Sequence, residues 1–148
     1  MVRTSFHRSR GPSHGSAARP LSVLLAEDQG ELRELLARGL ESDGACVECV
    51  SDGAAALELL FDDRFRPDVV VSDVRMPGFT GVEVLRAMRT AGLTTPVVLF
   101  TGFGHAVSPE ELGELGGAAL LEKPFDFDDL RTALLHLGFF AGPERTDP

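Results

Sequence analysis

The architecture of this 148-residue chain can be inferred from the stretch Val69-Val70-Val71-Ser72-Asp73-Val74-Arg75-Met76-Pro77-Gly78. Its three consecutive valines predict a strand buried on both faces, because β-branched side chains suit a covered, pleated sheet. The strand is predicted to stop near Asp73, since Pro77-Gly78 favours a turn just beyond it. Open parallel sheets bind their ligands outside the carboxyl ends of the strands. Asp73 is therefore a candidate functional residue; the alternative is an aspartate that only ends the strand or caps the next helix.

An alternation of strand and helix patterns extends from this stretch in both directions. Strands are predicted at 21–26, 46–50, 69–72, 97–100 and 118–122, and helices at 31–43, from Ser51 or Asp52 to about 64, at 81–91, after Ser108 and after Asp126. The first helix is expected to turn four leucines toward the core: Leu32, Leu35, Leu36 and Leu40. Such alternation is typical of a parallel sheet with helices on both faces. The third strand is the most apolar, hence central, and we predict a doubly wound α/β fold of five parallel strands in the order 2-1-3-4-5.

The charge of the chain is unevenly distributed. The formal net charge is −9, yet residues 1–20 contain four arginines and no acidic residue. That segment is rich in Ser, Gly and Pro and has no apolar periodicity, so we expect a disordered basic tail over 1–20, one domain over 21–140 and a flexible end over 141–148. The acidic body argues against nucleic acid as the main partner, because phosphate neutralisation needs a basic face.

Two classes of location are disfavoured by the hydropathy pattern. No apolar run approaches the roughly 20 residues that a membrane-spanning helix needs. The N-terminus also lacks the apolar segment of a secretory signal. We therefore expect a cytoplasmic protein that does not bind a membrane.

Polar residues follow the predicted strands where a ligand site is expected. Glu27 and Asp28 follow the first strand, Asp73 the third, Thr101 the fourth and Lys123 the fifth. Three converging carboxylates would repel one another by about 4 kcal/mol per pair at 4 Å and an effective dielectric constant of 20. A hard cation such as Mg²⁺ would offset this repulsion and takes carboxylate ligands. With a lysine and a hydroxyl nearby, the set suits phosphoryl transfer onto one carboxylate, giving an aspartyl-phosphate.

Four segments in this order resemble the receiver domains of two-component response regulators, over roughly residues 21–140. The segments are Leu24-Leu25-Ala26-Glu27-Asp28, the D-x-x-M-P-G-x-x-G pattern from Asp73 to Gly81, Val98-Leu99-Phe100-Thr101-Gly102, and Glu122-Lys123-Pro124-Phe125. The resemblance implies a flavodoxin-like receiver fold. It also implies a protein that catalyses only its own phosphorylation and dephosphorylation and is not an enzyme acting on a separate substrate.

The resemblance implies a role for each site residue. Asp73 would accept a phosphoryl group from a histidine kinase, a phosphotransfer protein or a small phosphodonor. Asp28, Asp73 and the backbone carbonyl of Arg75 would bind Mg²⁺ or Mn²⁺, with Glu27 acting through water. Lys123 would pair with the carboxylate and then with the phosphoryl group, and Thr101 would donate a hydrogen bond to a phosphoryl oxygen. The Lys123-Pro124 peptide bond would be cis.

The same resemblance implies an output surface formed by the last two helices and the last strand, on a monomer or weak dimer. Gly102 fits the small residue that follows the switch threonine. Leu120 departs from the family, which usually has an aromatic residue there, so we expect weaker coupling of phosphorylation to this surface, or coupling through the loop before the fourth helix. Arg75 and Phe103 stand where the family tunes the phosphoryl lifetime, and we expect a long-lived aspartyl-phosphate.

Three other functions remain as alternatives. A receiver-like interaction module that is not phosphorylated is supported only by Leu120. An Asp-dependent phosphatase usually needs a second acid two residues after its nucleophile, where this chain has Arg75. A flavin or nucleotide binder needs a phosphate-cradling loop after the first strand, whereas Glu27-Asp28-Gln29 repels phosphate. Since only about ten residues follow the last predicted helix, no output domain is expected.

Overall fold

A computed structural model describes residues 19–102 and 107–139 of the chain. Most of the predicted basic tail, the tuning residue Phe103 and the predicted flexible end at 141–148 lie outside the described residues, and their roles stay predictions. Arg19, the last arginine of the basic segment, lies 3.2 Å from the carboxylate of Asp68. No helix within the described ranges is long and apolar enough to cross a membrane.

Five parallel strands form one sheet in the order β2-β1-β3-β4-β5, as predicted. The strands are β1 (Ser22–Ala26), β2 (Cys46–Val50), β3 (Val69–Asp73), β4 (Val97–Thr101) and β5 (Ala118–Glu122). Every residue of β3 and of β4 is buried. The valine-rich strand is therefore central, which confirms the interpretation of its β-branched run.

Five helices connect and cover the strands: α1 (Gly30–Ser42), α2 (Gly53–Leu60), α3 (Gly81–Thr90), α4 (Pro109–Leu115) and α5 (Phe127–His136). Asp52, Thr80, Ser108 and Asp126 cap the last four through their side chains. The predicted end of the second helix near residue 64 is wrong. The carboxylate of Asp62 accepts the amide of Arg64 at 2.9 Å, and this local turn takes the place of the next helical turn.

Two apolar clusters lie on opposite faces of the sheet. Helices α1 and α5 cover one cluster, and α2 and α3 cover the other. In α1, Leu36 and Leu40 are buried and Leu32 packs against their cluster, but Leu35 is 63% exposed. The prediction that Leu35 faces the core is therefore wrong, because successive helical residues are rotated by about 100° and Leu35 lies to one side of the buried stripe.

Helix α4 is attached to the domain differently from the other helices. None of its residues is buried. Near its start, Glu111 forms an ion pair with Arg86 of α3. At its end, the guanidinium of Arg89, also on α3, donates to the carbonyl oxygens of Leu115 at 2.7 Å and Gly116 at 2.9 Å. Polar contacts from α3 therefore hold both ends of this helix, and its partly buried Leu112 and Leu115 pack against the cluster under α2 and α3.

Candidate functional site

The strand ends bring the five predicted polar residues to one edge of the sheet. Glu27 and Asp28 follow β1, Asp73 ends β3, Thr101 ends β4 and Lys123 follows β5. Because all the strands are parallel, their carboxyl ends lie at the same edge. The order β2-β1-β3-β4-β5 places β3 between β1 and β4. The aspartate of the central strand is thus flanked by the acidic pair on one side and the threonine on the other.

Asp73 is nearly buried and is held on both carboxylate oxygens. Its side chain is 6% exposed, and its Oδ2 lies 2.6 Å from the Nζ of Lys123. Its Oδ1 accepts the backbone amide of Arg75 at 3.0 Å. The Ser72 hydroxyl donates to the Asp73 carbonyl at 2.9 Å. The carboxylate therefore has a fixed orientation, which favours reaction as a nucleophile, and a cation at one oxygen that offsets its charge.

Three carboxyl groups converge at this edge. One oxygen each from Glu27, Asp28 and Asp73 lie within 4.8 Å of one another. Glu27 is fully buried, whereas Asp28 is exposed. The Oε2 of Glu27 accepts the amide of Gln29 at 3.1 Å, but its Oε1 is buried with no hydrogen-bond partner among the described residues. A buried oxygen without a partner, beside two further carboxylates, fits a hard divalent cation and its bound water.

The environment of Glu27 changes its protonation. Burial is the main cause that raises the pKa of the Glu27 carboxyl from 4.5 to about 7. The amide of Gln29 opposes this rise, the neighbouring Asp73 carboxylate adds to it, and the charge of Lys123 lowers the pKa. Removing a carboxylate from water disfavours its charged form unless a cation is present. Glu27 therefore limits the negative charge of the cluster near neutral pH.

Thr101 and Lys123 are linked to each other as well as to the site. Thr101 is 5% exposed, and its carbonyl accepts the backbone amide of Lys123 at 2.8 Å. Its hydroxyl Oγ1 lies 3.5 Å from the carbonyl oxygen of Gly102. In the sheet register Asp73 is opposite Phe100, the residue before Thr101. Thr101 therefore directly follows the residue that pairs with Asp73 in the sheet.

The structure also places the remaining predicted residues. The Lys123-Pro124 peptide bond is cis, as the resemblance implies. Arg75 is exposed and contacts Asp73 through its amide. Leu120 is half-buried in β5, opposite Leu99, and packs against the cluster under α2 and α3. This position holds an aliphatic side chain in apolar packing.

Two residues that matter for the geometry of the site were not predicted from the sequence. A Cβ at Gly81 would lie 2.4 Å from the carbonyl oxygen of Asp73. The guanidinium of Arg33 in α1 donates to the carbonyl oxygen of Glu27 at 2.7 Å. The sequence contained a signal for Gly81, since this glycine ends the D-x-x-M-P-G-x-x-G pattern that begins at Asp73. Arg33 had none, because its contact depends on the direction in which α1 leaves the sheet.

The sequence that forms this edge matches a known family. A profile of the response regulator receiver domain matches residues 23–135. The chain belongs to this family. This finding confirms the resemblance seen in the four sequence segments, and the topology of this receiver agrees with it.

Individual proteins similar to this receiver include full-length regulators and isolated receiver domains. The transcriptional regulatory protein TctD of Salmonella typhimurium is 36% identical over 114 residues, which are 77% of this chain and 50% of TctD. The chain thus spans about half the length of that relative. The expectation that no output domain follows stays a prediction.

Two solved structures share the receiver fold. The chemotaxis response regulator CheY4 of Vibrio cholerae is 30% identical, with a TM-score of 0.70, and the match covers 80% of this chain and 98% of that chain. The response regulator TrrA of Thermotoga maritima, solved in complex with Mg²⁺-BeF, is 28% identical, with a TM-score of 0.68, and the match covers 78% and 97%.

Proposed function

We propose that this receiver accepts a phosphoryl group on Asp73, from a histidine kinase, a phosphotransfer protein or a small phosphodonor, and that phosphorylation changes a protein-binding surface. The observation that carries the proposal is the nearly buried Asp73 carboxylate, 2.6 Å from the ammonium of Lys123 and within 4.8 Å of two other carboxyl groups. Burial alone would account for the paired cation, because a buried charge is costly without a partner, but a carboxylate that only ends a strand gains nothing from two further carboxyl groups beside it.

The chemistry is a displacement at phosphorus. A carboxylate oxygen of Asp73 forms a new O–P bond, while the P–N bond of a phosphohistidine, or the P–O bond of an acyl phosphate, breaks and leaves its electron pair on the donor. Because the amide of Arg75 and the ammonium of Lys123 hold the carboxylate in one orientation, little orientational freedom is lost in the reaction. No substrate other than the phosphodonor is required.

The cluster can hold Mg²⁺ or Mn²⁺. Asp28 and Asp73 would be direct ligands together with the Arg75 carbonyl, and Glu27 would act through water. When bound, the cation neutralises charge on the oxygens of the transferring group. Lys123 would transfer its pairing from the Asp73 carboxylate to the phosphoryl group, and the Thr101 hydroxyl would donate to a phosphoryl oxygen. Each role uses a residue already at this edge.

Acetyl phosphate with Mg²⁺ tests the proposal. Mass spectrometry should show one added phosphoryl group on the peptide containing Asp73, and hydroxylamine should remove it, as expected for an acyl phosphate. Asp73→Asn should abolish the addition, whereas Asp63→Asn, at a side chain 96% exposed, should not. If the wild-type protein stays unmodified with donor and metal in excess, the receiver acts as an interaction module that is not phosphorylated.

The output surface is proposed to be the face formed by α4, β5 and α5. Leu120 belongs to β5, one of the elements of this face, and its aliphatic side chain lacks the ring that the family usually places there. We expect phosphorylation to act less through residue 120 and more through α4, which has no buried residue. Amide chemical shifts with and without BeF₃⁻ and Mg²⁺ would test this, since shifts larger in β5 than in α4 would contradict it.

A further inference from the structure

Arg33 reaches back from α1 to the loop that carries the acidic pair. Its Nη1 donates to the carbonyl oxygen of Glu27 at 2.7 Å and lies 3.5 Å from the carbonyl oxygen of Asp28. The guanidinium therefore contacts the backbone of Glu27 and Asp28, two of the three residues whose carboxyl groups form the cluster. A short hydrogen bond from a charged donor is among the stronger ones in proteins.

The amide and the Oε2 of Glu27 have partners elsewhere, and its carbonyl accepts a hydrogen bond from Arg33. The amide of Glu27 donates to the carbonyl of Val50 in β2 at 3.1 Å, which extends the sheet by one residue. The Glu27 side chain is fixed by the amide of Gln29. Within residues 19–102 and 107–139, the Glu27 carbonyl accepts its hydrogen bond from Arg33. The guanidinium thus sets the orientation of the peptide between Glu27 and Asp28.

That peptide determines where the Asp28 carboxylate lies. Asp28 is exposed, so packing does not hold its side chain and the backbone must. Glu27 is fully buried and cannot move to follow a displaced Asp28. If the peptide rotated, the oxygens of the two acids would separate from their present spacing within 4.8 Å.

We propose that Arg33 is a positioning residue for the divalent cation: its hydrogen bond to the Glu27 carbonyl keeps the carboxylates of Glu27 and Asp28 converged on Asp73. This inference rests on the proposed function for the identity of the site. The positive charge of Arg33 alone acts in the opposite direction, because it repels a cation. The sign of the change in metal affinity therefore separates positioning from simple electrostatics.

Metal binding to the full chain, measured by isothermal titration calorimetry with Mg²⁺ and Mn²⁺, tests this role. Arg33→Ala should weaken binding about tenfold, as expected when a residue that supports a metal ligand is removed. Arg33→Lys, which keeps a donor on a long stem, should lie between Arg33→Ala and the wild type. Arg38→Ala is the matched control, because Arg38 is exposed on the same helix and its loss changes the net charge equally. Unchanged or tighter binding in Arg33→Ala would overturn the proposal.

A second measurement does not depend on metal. Amide hydrogen exchange of Gln29 should be faster in Arg33→Ala and unchanged in Arg38→Ala, because the Gln29 amide binds the Glu27 side chain in the loop. Equal exchange in both variants would also overturn the proposal. If the wild type binds metal and the Arg33 effects appear but acetyl phosphate leaves Asp73 unmodified, the phosphoacceptor function fails and the positioning role stands.

Discussion

Gly81 approaches the backbone of Asp73 so closely that an added Cβ would lie 2.4 Å from the Asp73 carbonyl oxygen. The nearest atom is a backbone atom of Asp73 in a buried strand, and it cannot move aside without displacing Asp73. We therefore expect Gly81→Ala to lower the free energy of unfolding by about 3 kcal/mol, at the upper end of overpacking costs. Urea unfolding and the rate of phosphorylation by acetyl phosphate should both show the effect.

Gly113→Ala is the matched control for this prediction. Gly113 lies within α4, and no atom lies within 4 Å of the position of its added Cβ. Alanine is favoured over glycine inside a helix by roughly 0.5–1 kcal/mol, so this variant should be slightly more stable than the wild type. Equal destabilisation by the two substitutions would show that the contact with Asp73 is not the cause.

Lys123 is the only lysine in the chain, and its ammonium pairs with Asp73. Lys123→Ala would leave a nearly buried carboxylate without its cation. The full cost of an unpaired buried charge is about 3–5 kcal/mol, but Lys123 is 27% exposed, so we expect a loss of about 2 kcal/mol after solvent screening. Mg²⁺ should stabilise the variant more than the wild type, because the metal ion supplies the missing charge. Thermal unfolding in EDTA and in Mg²⁺ checks both expectations.

Glu27 should make the stability of the metal-free protein depend on pH. Its pKa is raised to about 7 in the folded state, so between pH 4.5 and 7 the folded protein binds more protons than the unfolded one. Stability contributed by this group is therefore fully present below pH 4.5 and is lost as the pH rises toward 7. The upper limit of the change is about 3 kcal/mol.

Glu27→Gln should remove this dependence, because the amide does not titrate. The measurement is the free energy of unfolding in EDTA at several pH values from 4.5 to 8, for both proteins. Parallel pH profiles would contradict the assigned titration. A profile for the wild type that rises over this interval would have the wrong sign for a group whose pKa is raised by burial.

Arg89 should contribute more to stability than its neighbour Arg86. Besides the carbonyls at the end of α4, its guanidinium donates to the carbonyl oxygen of Leu93 at 2.8 Å, and burial lowers its pKa. Arg89→Ala would leave partly buried carbonyls unpaired, at a cost of about 2 kcal/mol. Arg89→Lys should recover little, because an ammonium cannot reproduce the planar fork.

The ion pair between Arg86 and Glu111 is the comparison for the contribution of Arg89 to stability. Both side chains are partly exposed, and surface ion pairs contribute about 0–1 kcal/mol. Arg86→Ala should therefore change the urea midpoint little, while Arg89→Ala should lower it and speed amide exchange in α4. A larger effect of Arg86→Ala than of Arg89→Ala would reverse this ranking.

Much of the fold could be predicted from short-range patterns. The three valines of β3 identified the central strand, and capping residues such as Ser108 and Asp126 identified helix starts. These signals succeed because each depends on a few adjacent residues. The convergence of Asp28, Asp73 and Lys123 followed from topology alone, since parallel strands place their carboxyl ends together.

What the sequence did not reveal depends on long-range packing. The exposure of Leu35 depends on how α1 lies on the sheet. The early end of α2 is the exception, because it reflects a local contact in which the Asp62 carboxylate accepts the amide of Arg64. The burial that raises the pKa of Glu27 arises from neighbouring strands. The contacts of Arg33 and Arg89 depend on the directions of α1 and α3 relative to the sheet, so their partners cannot be identified from the sequence. A residue pattern contains none of these distances.

The way in which α4 is attached has an energetic consequence for signalling. No residue of α4 is fully buried, and its apolar contribution is limited to Leu112 and Leu115, which are partly buried against the cluster under α2 and α3. When this helix moves, two partly buried leucines lose contacts, and a handful of polar contacts, each worth about 1 kcal/mol net, are exchanged for water. If Asp73 is phosphorylated as proposed, a modest difference in free energy between its two chemical states would be enough to shift the position of this helix, while the fully buried residues of both clusters stay packed.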